Sequence, residues 1–146
     1  MIKGLEHMGL SVANMERSLK FYRDLLGMEV VEDMDFSSEL YDGKYGRILA
    51  LENARGRVAL VKKGTMQFEL FEFARPTPEQ SDPQRPVCDH GITHFCIEVG
   101  DIEGEYQRLK QAGVPFHCPP LDFGTAKATY GRDPDGNVFE LLEMTS

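Results

Sequence analysis

The chain repeats itself, and that repeat limits its fold more than any other feature. The segment His7-Met8-Gly9-Leu10-Ser11-Val12-Ala13-Asn14-Met15-Glu16 returns, at an offset of 87, as His94-Phe95-Cys96-Ile97-Glu98-Val99-Gly100-Asp101-Ile102-Glu103. Histidine, aliphatic residue, valine, Asn or Asp, and glutamate recur in order. Phe68-Glu69-Leu70-Phe71-Glu72 returns as Phe139-Glu140-Leu141-Leu142-Glu143 at an offset of 71. A repeat on this scale means two copies of one supersecondary unit. The drop from 87 to 71 makes the first copy 16 residues longer, and the extra length is expected between Ser37 and Gly56.

Each copy opens as a strand followed by a helix. Asn14 and Asp101 are good N-caps, because their side-chain oxygens can accept from orphan backbone N–H groups. Met15, Leu19, Tyr22 and Leu26 then fall on one helical face, as do Ile102, Tyr106 and Leu109. Gly27 and Gly113 stand where a C-terminal glycine stops each helix. Strands are expected near Leu5–Val12, Met28–Met34, Arg57–Val61 and Gln67–Phe73. In the second copy they are expected near Ile92–Val99, Val114–Cys118, Ala126–Arg132 and Val138–Met144. Asp133-Pro134-Asp135-Gly136-Asn137 signals a turn before the last strand. Pro76, Pro78, Pro83 and Pro86 exclude a helix or central strand between the copies. The layout is therefore module one at 1–74, a linker at 75–90 and module two at 91–146, together making one domain.

Strand alternation assigns faces to the polar residues. Met8, Leu10 and Val12 share the face expected to pack under the helix, which puts His7 on the other face with Leu5, Gly9 and Ser11. His94 lies likewise opposite Phe95, Ile97 and Val99. Glu69 shares a face with Gln67, Phe71 and Phe73, and Glu140 with Val138, Leu142 and Met144. Strands apolar on both faces are expected to be buried on both. A carboxylate there must be paired, protonated or metal-bound, and Arg47, Arg57 and Arg132 are available as ordinary partners. Glu72 and Glu143 also repeat but fall on the opposite face, solvated or paired near a strand end. His90 and His117 have no repeat counterpart and read as structural. Cys96 is expected either as a buried free thiol or at the rim of a cavity.

Two histidines and two glutamates at repeat-equivalent positions make His7, Glu69, His94 and Glu140 the candidate ligands of one divalent ion. Two imidazoles and two carboxylates suit Zn, Fe(II), Ni, Co or Mn better than an oxygen-only ion such as Ca. On a six-coordinate ion they leave positions open for water or substrate.

Composition removes several alternatives. The 146 residues are 41% hydrophobic and 10% aromatic, sufficient for a packed interior. The net charge of −8, from 24 Asp and Glu against 16 Lys and Arg, disfavours nucleic acid and anionic membrane surfaces. No apolar run reaches the length of a bilayer span, and no secretory signal opens the chain, so the expected compartment is the cytosol. Cys88, Cys96 and Cys118 form no C-x-x-C pair and read as reduced thiols. Phe36, Tyr41, Tyr45, Phe71, Phe73 and Phe123 are candidates for lining a pocket.

Four segments resemble the vicinal oxygen chelate superfamily, which includes glyoxalase I, methylmalonyl-CoA epimerase, extradiol dioxygenases and fosfomycin or bleomycin resistance proteins. They are Leu5-Glu6-His7-Met8-Gly9-Leu10-Ser11-Val12, Ser18 to Tyr22 with Leu25 to Met28, Gly91-Ile92-Thr93-His94, and Asp133 through Leu141. The resemblance implies an α+β fold in which two βαβββ modules form an open, cup-shaped mixed β-sheet with helices on the outside. It implies one divalent metal ion at the positions of His7, Glu69, His94 and Glu140. It also implies a homodimer, with modules pairing within one chain or across two.

By the same resemblance the expected activity is that of a metal-dependent lyase or isomerase of glyoxalase type. Its substrate would be a small oxygenated metabolite, dicarbonyl or hydroxy-carbonyl. The metal stabilises an enediolate, and Glu140 or Glu69 serves as base. Two features depart from glyoxalase I: the glutathione-binding arginine position is Ser11 here, and the asparagine position is Phe73. One alternative is an Fe(II)-dependent dioxygenase using His7, His94 and Glu140, which a fourth ligand at Glu69 disfavours. A second is a metal-free drug- or metabolite-binding resistance protein, in which such ligands are commonly lost.

Overall fold

The repeat is realised as two copies of one strand order. In this computed structural model residues 1–145 are described, Ser146 lying outside them. The chain divides into two compact units, Met1–Gln80 and Ser81–Ser146. The first contains β1 (Met8–Ser11), α1 (Met15–Leu19), β2 (Glu29–Ser37), α2 (Lys44–Leu49), β3 (Arg55–Lys63) and β4 (Met66–Arg75). The second contains β5 (Phe95–Glu98), α3 (Ile102–Gln111), β6 (Leu121–Asp122), β7 (Ala126–Arg132) and β8 (Val138–Met144). Their sheets run β1-β4-β3-β2 and β5-β8-β7-β6. In each, the first strand pairs parallel to the last and the remaining pairings are antiparallel. The chain is thus α+β, with two open four-stranded mixed sheets.

Both N-caps form as the sequence predicts: the Asn14 carboxamide accepts from Arg17 N at 2.9 Å and the Asp101 carboxylate from Gly104 N at 3.0 Å. Beyond α1 the backbone widens into a π-helical segment, Lys20–Leu25. This shifts the buried stripe, so Phe21 joins Met15, Leu19 and Tyr22 in the core while Leu26 is only half-buried. The 3.6-residue spacing had no place for Phe21. In the second unit Ile102, Tyr106 and Leu109 are all buried, as the spacing requires. They lie in the same unit as the buried Phe139 and Leu141 of β8; burying each such side chain stabilises the fold by ~1.5–3 kcal/mol.

Of the two expectations for Glu72 and Glu143, pairing near a strand end is the one that holds. Glu72 accepts from the backbone N–H of Met15, the first residue of α1, and Glu143 from that of Ile102, the first of α3, at 2.8 Å. The repeat therefore includes a carboxylate that ties the last strand of each unit to the start of its helix.

Three expectations change. The strands containing the histidines are shorter, Met8–Ser11 and Phe95–Glu98, so His7 and His94 sit immediately ahead of them. Gly4 and Gly91, at φ +151° and +137°, take the backbone just upstream out of regular extension. Val114–Cys118 is not a strand; Phe116 makes an isolated bridge to Gly131, and the edge strand is Leu121–Asp122. Pro115, Pro119 and Pro120 lack the N–H groups that a ladder needs. Finally, the faces bearing the two glutamates are not fully buried: the side chains of Glu69 and Glu140 are 31% and 17% exposed.

The extra residues of copy one do lie between Ser37 and Gly56, where they form a closed loop around α2. Ser38 Oγ donates to Leu51 O at 2.9 Å and accepts from Ala54 N at 2.8 Å, pinning both ends. The loop packs on the sheet face opposite α1. There Phe36 is buried against Tyr45, Phe71 and Phe73 at ring separations of 5.5, 5.6 and 5.3 Å. Four aromatics expected to line a pocket thus contribute to a second small core.

Candidate metal centre

Each unit brings one histidine to one glutamate. In the first, parallel pairing sets Met8 beside Phe68 and Gly9 beside Glu69. His7, just ahead of β1, thereby reaches Glu69, with Nε2 3.9 Å from Oε2. Its Nδ1 is engaged by Glu6, whose own Oε1 accepts from Gln67 Nε2 at 2.9 Å. The Glu6 hydrogen bond raises the His7 pKa above its ordinary value against the opposing effect of burial, and Glu69 adds to the rise.

The second unit repeats the arrangement more tightly. His94 Nε2 lies 3.0 Å from Glu140 Oε2, and its Nδ1 lies 2.9 Å from Thr93 Oγ1. Tyr130 completes the surround: its ring centroid is 4.6 Å from that of His94 and its hydroxyl 3.4 Å from Nε2. Antiparallel register puts Tyr130 directly across from Glu140, where the first unit has Leu60 across from Glu69. Burial, then the Glu140 charge, raises the Tyr130 pKa, leaving a protonated hydroxyl at neutral pH. Cys96 pairs with Glu140 on the other side and is exposed rather than buried. The protein around it and the Glu140 carboxylate push its thiol up to about 11, so it remains a neutral thiol.

Two of the three arginines available by sequence, Arg57 and Arg132, are committed elsewhere. Arg57 forks onto Asp33 at 2.8 and 2.7 Å and reaches Glu16 at 2.6 Å. Arg132 donates to the carbonyls of Gly136 and Arg85 and to His117 Nε2 at 3.1 Å. Burial, then Arg132, lowers the His117 pKa, consistent with a structural histidine. Among the described residues no three His, Cys, Asp or Glu side chains are gathered as for a metal ion; the candidates come as two pairs.

A cavity of about 150 Å³ adjoins Glu69 in the first unit, lined also by Glu32, Met34, Tyr41, Tyr45, Val58 and Leu60. Burial, then the charges of Glu69 and its neighbours, raises the Tyr45 pKa. Of the expected pocket aromatics, only Tyr41 and Tyr45 reach this cavity; Phe123 lies exposed in the second unit.

A family model described as the Glyoxalase/Bleomycin resistance protein/Dioxygenase superfamily matches residues 4–141. The chain belongs to that superfamily. Within it, similar curated proteins include a lactoylglutathione lyase of Neisseria meningitidis, 26% identical over 144 residues that cover 97% of this chain and 91% of the relative. A metallothiol transferase, FosB, of Staphylococcus haemolyticus is 28% identical over 97% of this chain and 84% of its own. Among solved structures, a glyoxalase family protein from Bacillus cereus superposes with a TM-score of 0.89 at 18% identity, covering 100% of this chain and 97% of that one. The superfamily likeness thus extends over both units and all four candidate ligands. No helix among the described residues is long and apolar enough to cross a membrane.

Proposed function

We propose that the protein is a metal-dependent lyase or isomerase of glyoxalase type, acting on a small dicarbonyl or hydroxy-carbonyl metabolite, with one divalent ion held by His7, Glu69, His94 and Glu140. The observation that carries this is the matched tethering of both histidines. In each pair Nδ1 is occupied by a neighbouring side chain while Nε2 is turned toward a carboxylate. Metal-ligating histidines are held in this way, with one nitrogen fixed by a second group and the other presented to the ion. The 3.0 Å separation of His94 Nε2 and Glu140 Oε2 is also about that of adjacent ligands at ~2.0–2.2 Å from a common ion. Donor chemistry and orientation therefore fit Zn, Ni, Co, Mn or Fe.

A four-ligand set needs both pairs, from the units of one chain or from units exchanged between two chains of a homodimer. When bound, the ion would supply Lewis-acid polarisation of a substrate carbonyl. Glu140, in the more enclosed pair, then takes a proton from the carbon beside that carbonyl and returns it to the neighbouring one. Glu69 is the alternative base. Tyr130 packs against His94 and limits the rotation of its ring. Relatives named for lyase and for thiol-transfer activities support enzymatic function of this general kind.

The test is isomerisation of the thiol hemiacetal or the hydrate of a small α-ketoaldehyde, each a hydroxy-carbonyl, by protein loaded with each metal in turn. Glu140→Gln is expected to lower kcat about a hundredfold or more, the size of a lost general base. An unchanged kcat would remove Glu140 from the chemistry.

A further inference from the structure

The loop peculiar to copy one adds a wall to the sheet face beside Glu69, and the cavity behind it has a definite chemical character. Backbone register sets Glu69, Leu60 and Glu32 in one row across β4, β3 and β2, with Val58 and Met34 in the next. The floor is therefore aliphatic, with a carboxylate at either side. The wall is aromatic: Tyr41 and Tyr45 project from the loop with ring centroids 6.4 Å apart. Tyr41, Asp42 and Gly43 hold successive left-handed conformations, φ +56°, +58° and +77°, fixing where the Tyr41 ring emerges. Gly46 N donates to Ser38 O at 3.0 Å and locks the base of α2. Lys44 and Arg47 lie in the same loop, but the cavity is lined by no lysine or arginine.

We propose that this cavity binds a compact organic ammonium group, the part of the substrate remote from the reacting carbon, with Glu32, Tyr41 and Tyr45 as specificity-determining residues. This deepens the metalloenzyme reading and rests on it only for placing the cavity beside the chemistry. Tyrosine ring faces attract a cation through their quadrupoles, Glu32 supplies a counter-charge, and Met34, Val58 and Leu60 accept the methylene or methyl surface. A phosphonate or carboxylate set between the two tyrosines meets the Glu32 carboxylate, which is outside the proposed ligand set, and no basic side chain. The cavity thus discriminates by charge as well as size.

The test uses tyrosine emission of the full chain, since the protein has no tryptophan and two of its five tyrosines line the cavity. Three probes of one shape are titrated: choline, the uncharged tert-butylethanol and the anionic tert-butylacetate. Choline is expected to bind tightest and the anion weakest. Glu32→Gln is expected to weaken choline roughly fivefold to tenfold while leaving tert-butylethanol unchanged, and Tyr41→Leu to weaken choline by a similar factor. Equal affinity for cation and anion, no saturable choline response, or a choline affinity indifferent to Glu32→Gln would overturn the proposal. Metal content measured on the same samples separates the two readings: choline binding without metal sinks the metalloenzyme alone, and metal without choline binding sinks the ammonium site alone.

Discussion

His94 is held on three sides, by Thr93 at Nδ1, Glu140 at Nε2 and the Tyr130 ring. Thr93→Val keeps the side-chain shape and removes the Nδ1 contact. It should weaken metal affinity roughly tenfold, the usual effect of losing a group that orients a ligand; a metal titration followed by isothermal calorimetry checks this, and unchanged affinity would show Thr93 to be incidental. A second residue-scale prediction concerns Asp33, whose pKa is lowered from 3.8 by its hydrogen bonds to Arg57. Because the folded value lies below the unfolded one, the stabilisation is complete above 3.8 and is lost as pH falls through the folded value. The pair is about a third exposed, 32% and 35%, so screening limits it to ~0.5–1 kcal/mol. Asp33→Asn should cost about that much at neutral pH, and its stability should then fall less on acidification than the parent's in urea titrations. Equal acid sensitivity would contradict the assignment. At this scale the ligand candidates were readable from the repeat, but Tyr130 was missed. It was within reach: pairing Arg132 with Val138 across the Asp133–Asn137 turn and counting two residues back puts Tyr130 opposite Glu140.

Among the elements, the most informative are the two strand-to-helix ties. Glu143→Ala should destabilise the second unit by ~1 kcal/mol, the cost of losing a side-chain acceptor at a helix start. Denaturant unfolding would detect it, and a midpoint equal to wild type would refute it. Gly56 is a second point of dependence, because a Cβ there would lie 2.0 Å from Glu72 O and 3.0 Å from the Phe36 ring. Gly56→Ala should therefore cost ~1–3 kcal/mol or more by overpacking, visible as a lowered Tm; an unchanged Tm would mean that β3 yields easily against β4 and the Phe36 ring. Strands β7 and β8 could be read from sequence to the residue, since alternation and the turn motif agree there. Elements failed where local chemistry overrides period: prolines dissolve the strand expected at Val114–Cys118, and the π segment displaces the stripe after Leu19. Burial of Glu69 was over-read for another reason. Phe71 and Phe73 mark a face covered by a loop, Ser38–Ala54, that no periodicity announces.

On the scale of the whole molecule, one plan has been elaborated differently in its two copies. Copy one adds the loop with Tyr41 and Tyr45 beside Glu69; copy two replaces Leu60 with Tyr130 and places Cys96 and Thr93 around its histidine–glutamate pair. In the function proposed above, the first copy serves binding and the second proton transfer. The central claim is that both pairs serve one ion. Elemental analysis of purified wild type, His7→Ala and His94→Ala tests it most directly. One divalent ion per chain, lost from either variant alone, is the predicted result. Two ions per chain with each variant losing a single one, or full metal retained by either variant, would contradict it.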